Sequence, residues 1–157
     1  MQDTLPFQEI PAYPNTYTSA TLTARMIDGL GYRYYWATEN LRSEDLFYTP
    51  SKTNRTTRET LEHLFDLSGT IANTIAGEPN NRPLPIYKMT WENMRRETLY
   101  RLKKASDILH KNPDLDVETL PLVFQRGEQT FSSPFWHLLN GPIADALWHT
   151  GQVVSFR

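Results

Sequence analysis

The chain has 157 residues, 39% of them hydrophobic and 22% charged, with a formal net charge of −2 and no cysteine. That length and balance predict one globular domain over residues 1–157, large enough to bury a core, and the charge argues against general nucleic-acid affinity. Without cysteine there is no disulfide framework, thiolate zinc site or cysteine nucleophile, so any metal must be held by His, Asp, Glu or backbone oxygen.

The opening residues, MQDTLPFQEIP, lack the basic start and apolar core of a signal peptide. No run approaches the roughly 18 apolar residues of a membrane span. The expectation is a cytoplasmic protein that binds neither membrane nor nucleic acid. Residues 1 to 16 carry Pro6, Pro11 and Pro14 and no helical period, and read as an extended lead-in against the surface.

Leu22, Met26, Ile27, Leu30 and Tyr34 recur at spacings near three and four, which predicts a first helix over 18–38. Gly29 and Gly31 within it allow close packing or weaken it locally. Residues 43–54, with Pro50, read as a loop. A second helix follows, capped by Thr56 or Thr57 with Glu59 in its first turn. Leu61, Leu64, Ser68, Ile71 and Ile75 form its inward stripe, His63 lies on the flank, and Gly77 supplies the stop. The connection EPNNRPLP is too rich in proline to be helical throughout.

The third helix is predicted from Thr90, its cap, to Leu109, with Trp91, Met94, Thr98, Leu102, Ala105 and Leu109 inward. Arg95, Arg96, Arg101, Lys103 and Lys104 make it locally basic, read as a solvated face rather than an anion site. His110, in its last turn, reads as a partner of the helix dipole. Between 111 and 133, TLPLVFQ and EQTFS flank Arg126-Gly127 as a short hairpin. Phe131, Pro134, Phe135 and Trp136 then read as an apolar plug.

The fourth helix, PIADALWHTGQVVSFR, is expected to start with Pro142 in its first turn. Ile143, Leu147, Thr150 and Val154 share one side, with Ala146 and Val153 beside them. The helix is apolar around most of its circumference and is expected to be largely buried, with Gly151 allowing close helix approach. The fold class is therefore all-α: a four-helix bundle with a small β-hairpin between helices three and four.

On that last helix Asp145 and His149 stand four residues apart, on one face, with Gln152 beside them. A buried charge is costly unless paired or bound to a cation. Facing helices of a bundle build metal sites from side chains projecting into one layer, so His63, Asp145 and His149 form a candidate two-imidazole, one-carboxylate site. Such a site leaves coordination positions open, as catalytic sites do. A plain Asp–His salt bridge is the competing reading. Gln152 reads either as an orienter of His149 or of a metal-bound water, or as a partner of the core backbone. His137 is a weaker candidate ligand.

His63 in TLEHL, followed by DALWHTGQVVSFR, resembles the DinB-like family of helical-bundle proteins, whose signature is one histidine on the second helix and H-x-x-x-H-x-G-Q on the fourth. By that resemblance His63 matches the helix-two ligand and His149 the second histidine of the signature, whereas Asp145 replaces the first. The resemblance implies a divalent ion (Zn, Ni, Mn or Fe), and the carboxylate shifts preference toward Mn or Fe. It also implies a homodimer, a helix order that is not simply up-down-up-down, and transferase or hydrolase chemistry on a small molecule, with a thiol cofactor or substrate. An ion there would lower the pKa of a bound water or substrate thiol. The alternative is a non-catalytic bundle that binds a ligand or dimerises.

Overall fold

The computed structural model of the chain describes residues 4–84 and 88–157. Its core is set by four helices whose ends are chemically marked. In α1 (Ser19–Thr38) the Thr18 side chain accepts from the Thr21 backbone, and the Thr21 hydroxyl accepts from the Thr18 N–H. The start of α2 (Thr57–Ile75) is a reciprocal capping box between Thr56 and Glu59. The Thr56 N–H donates to the Glu59 carboxylate at 2.7 Å and holds its carboxyl below the usual range. Thr90 caps α3 (Trp91–Lys111), and α4 is Ala144–Ser155. Gly77, at φ +73°, takes the left-handed conformation that follows the end of α2.

The inward residues of α2 and α3 are those their spacing predicts: Leu61, Leu64, Ser68, Ile71 and Ile75 meet Trp91, Met94, Thr98, Leu102, Ala105 and Leu109 in the interior. Each fully buried Leu or Ile contributes roughly 1.5–3 kcal/mol. Both α1 and α2 pack against α3 and α4, so the bundle runs α1, α3, α2, α4 around its circumference. Phe7, in the lead-in, is buried directly over Gly31 of α1. A Cβ at Gly31 would meet the Phe7 ring at 2.5 Å, so glycine is required there by close approach. In the loop before α2, one helical turn (Asp45–Phe47) buries Leu46.

The all-α expectation is overturned. A three-stranded mixed sheet joins the four helices: β1 (Asn80–Arg82), β2 (Leu122–Arg126) and β3 (Gln129–Ser133) lie in that order. The β2–β3 hairpin turns at Gly127, φ +58°, where the sequence places it. The addition is β1, which pairs parallel to β2 with Asn80 opposite Phe124 and Arg82 opposite Arg126. It arises from the proline-rich connection, whose Pro83 ends the strand and whose Pro85 lies outside the described residues. Asn80 is buried and donates to the Val123 carbonyl at 3.1 Å, tying the strand to its distant partner.

The last helix also departs from expectation. The chain becomes helical at Trp136–Leu138 and passes through a wide turn, Leu139–Ile143, before α4 begins. Pro142 sits inside that turn rather than at a helix start. It has no N–H to give, and the widened ladder absorbs the loss: the Ala144 N–H reaches the Leu139 carbonyl. Nor is α4 largely buried. Ala146, Thr150 and Val153 face the core, whereas Trp148 is 70% and Val154 58% exposed. Among the described residues nothing lies within 4 Å of a Cβ placed at Gly151, so no helix approaches closely there. Of the expected apolar plug only Phe135 is buried, while Phe131 and Trp136 face solvent. Among the described residues no helix is long and apolar enough to cross a membrane.

Candidate metal centre

The seam between α2 and α4 carries the site. On α2 the capping box sets the helix start, and the inward stripe through Leu61, Leu64 and Ser68 sets its rotation. His63 therefore falls on the flank that faces α4 rather than in the core. On α4, Ala146, Thr150 and Val153 turn inward and leave Asp145 and His149 stacked on the neighbouring face, one turn apart.

The three side chains meet. His63 Nε2 lies 3.0 Å from Asp145 Oδ2, and His149 Nε2 lies 3.3 Å from Asp145 Oδ1. The two imidazoles stand edge to face, 4.7 Å between centroids and 86° between planes. One ligand atom from each residue lies within 4.8 Å of the other two, so the group could hold a metal ion. Metal–ligand bonds of about 2.0–2.2 Å place neighbouring donors roughly 3–4 Å apart, which the carboxylate–imidazole distances match. The donor set, two nitrogens and one oxygen, suits first-row divalent ions, and the three protein ligands leave positions for further ones.

Access is graded across the site. The His149 side chain is 13% exposed, His63 28% and Asp145 44%, so the open side is the carboxylate's. His149 also borders a cleft of about 310 Å³ with Gln152 of α4, Phe156 just past its end, Thr60 of α2 and the 53–55 segment. That segment is held at Asn54: its carbonyl accepts from Thr49 Oγ1 at 3.2 Å, and its N–H donates to the Ser51 carbonyl at 3.2 Å. The Tyr48 ring leans on Phe156, one of the residues lining the cleft, at 5.6 Å between centroids.

Gln152 is an orienter rather than a core partner. Its side-chain oxygen stands 2.6 Å from His149 Nδ1. His137 lies on the exposed turn before α4 and does not join the cluster. His110 is not merely a dipole partner: its Nε2 sits 2.9 Å from Asp28 Oδ2. That aspartate is 0% exposed on α1 and also accepts from the Ser106 hydroxyl. Spacing along the chain does not announce this pair; its one sequence signal is a charge between Ile27 and Leu30 in an apolar stripe. Comparison with protein-family models, with curated proteins and with solved structures finds no match to this chain.

Proposed function

We propose that this protein binds one divalent metal ion through His63, Asp145 and His149, and that it is a DinB-like protein acting on a small molecule. One observation carries the reading. Donor groups 82 residues apart in sequence converge with an i,i+4 pair to within 4.8 Å, in a chain with no cysteine to offer an alternative ligand set. The ring order, in which α1 and α2 are separated by α3 on one side and α4 on the other, supports the same resemblance.

The chain's residues divide the work. His63 and His149 supply neutral nitrogen donors, and Asp145 supplies charge and spans the two. Gln152 holds the His149 ring, and Asp145, the most exposed of the three, leaves the carboxylate side open to a substrate. A bound ion supplies Lewis acidity, the basis for transferase or hydrolase chemistry on a thiol or other small substrate. A homodimer belongs to the same reading by resemblance. The competing reading is an ion-free carboxylate bridge, since 3.0 and 3.3 Å are also hydrogen-bond distances.

Elemental analysis of untagged protein beside a His63→Ala, His149→Ala double variant decides between them. About one first-row ion per chain, lost in the variant, is the expected result. No metal in either protein after incubation with Mn, Fe, Ni or Zn overturns the reading and leaves a binding or dimerisation module.

A further inference from the structure

The basic stretch of α3 is not one solvated face. Arg95 turns inward, donates to Thr38 Oγ1 at 2.9 Å and pairs with Glu39. Lys103 pairs with Asp107. Arg101 and Lys104 instead turn toward a polar cavity of about 300 Å³ bounded by α2, α3 and β1, where Arg82 of β1 joins them.

We propose that this cavity is a binding site for a small phosphate-type oxyanion, with Arg82, Arg101 and Lys104 as its cationic donors. Three cations share the cavity with one carboxylate, Asp66, which leaves a local positive excess on a chain whose net charge is −2. Concave walls strengthen such a field by keeping solvent out.

Two of the cations are held in place before any ligand arrives. The Arg82 guanidinium lies 4.9 Å from the Phe124 ring centroid and donates to the Asn81 carbonyl at 3.0 Å. Arg101 lies 3.7 Å over the Phe65 ring and donates to the Phe65 carbonyl at 3.1 Å. Gly69 makes that position available, because a Cβ there would stand 3.1 Å from Arg101 Nη1. Planar guanidinium groups fixed on aromatic faces lose little freedom on meeting an oxyanion, and their geometry matches phosphate oxygens. Lys104 is exposed at the mouth and forms no ion pair among the described residues.

The size sets the ligand class. A cavity of about 300 Å³ is at the small end of ligand pockets, enough for a phosphate with a short substituent. Asn73 and Asn81 add amide groups to its wall and give it a polar lining. None of the cavity's residues belongs to the His63, Asp145, His149 cluster, so the site stands without the metal reading.

Calorimetric titration of the full chain with sodium phosphate, and separately with glycerol phosphate, tests the proposal at matched ionic strength with a chloride control. Exposed charges are screened over about 10 Å at 0.1 M salt, so the match matters. The same titrations in the His63→Ala, His149→Ala background remove any contribution from a bound metal. Saturable binding in both backgrounds is expected, weakened several-fold by Lys104→Gln and lost in Arg82→Gln, Lys104→Gln. Tighter binding of glycerol phosphate would assign the site to an organic phosphomonoester, and equal binding to free phosphate; both uphold it. No saturation beyond the chloride control, or equal affinity in Lys104→Gln with an unchanged thermal midpoint, overturns it. Lys104 is exposed, so that variant folds and keeps the test decisive.

Discussion

The side-chain oxygen of Gln152 lies 2.6 Å from Nδ1 of His149, one turn away on α4. An oxygen acceptor there places the ring proton on Nδ1 and leaves Nε2 with its lone pair. That lone pair faces Asp145 Oδ1 at 3.3 Å, one acceptor against another, unless a proton or a metal cation stands between them. Gln152 therefore sets the tautomer that a metal requires. Gln152→Leu should lower metal affinity roughly 10–100-fold with all three ligands intact. Competition with a calibrated chelator measures it, and unchanged affinity would remove Gln152 from the site.

Substitution of Asp145 distinguishes metal binding from a simple ion pair. Asp145→His should preserve or tighten metal binding, and Asp145→Leu should abolish uptake. The carboxylate is 44% exposed, and exposed ion pairs contribute roughly 0–1 kcal/mol, so the metal-free stability of Asp145→Leu should stay within about 1 kcal/mol of the parent. Urea unfolding in chelator, beside metal uptake, checks both halves. Lost stability without metal gain in Asp145→His would identify a salt bridge only.

Asp28 and His110 make a different kind of pair, in which the carboxylate is fully buried. His110→Ala removes the imidazole from that carboxylate and leaves it the Ser106 hydroxyl. Removing one partner of a buried pair costs about 3–5 kcal/mol, so His110→Ala should cost several times more than His137→Ala on the exposed turn. Denaturant midpoints compare the two; equal losses would show that the Asp28 pair carries no stability.

The buried Tyr34 phenol predicts an alkaline limit. Burial pushes its pKa from 10.0 up to about 12, partly opposed by the Thr98 hydroxyl and the Arg95 charge. Between those values the unfolded chain releases the proton and the folded chain keeps it. Stability is therefore fully present below pH 10.0 and falls as pH rises toward about 12, by about 1.4 kcal/mol per pH unit from this one group. Tyr34→Phe should lessen that slope by the same amount in unfolding titrations between pH 9 and 12. An identical slope in the variant would place the alkaline transition elsewhere.

Much of this protein is legible from short stretches of chain. The caps at Thr56, Thr90 and Gly77, and the stripes through Leu61–Ile75 and Trp91–Leu109, rest on energies exchanged over one or two helical turns, so spacing alone locates those helices. The Asp145–His149 stacking is equally local, because a helix fixes the azimuth of residues four apart. Other features depend on which distant surfaces bury one another. His63 meets Asp145 across 82 residues because α2 and α4 are neighbours around the bundle, which no local period encodes. The strand Asn80–Arg82 exists because β2 offers it a parallel edge, overriding a proline-rich sequence that has no strand pattern of its own. Pro142 is carried inside a widened turn because Ile143 and Leu138 on either side are buried in the core. The burial of Asp28, and the turning of Arg101 and Lys104 toward Arg82, were likewise decided by packing. A charge's partner is set by which helices close on it, and only the assembled fold supplies that.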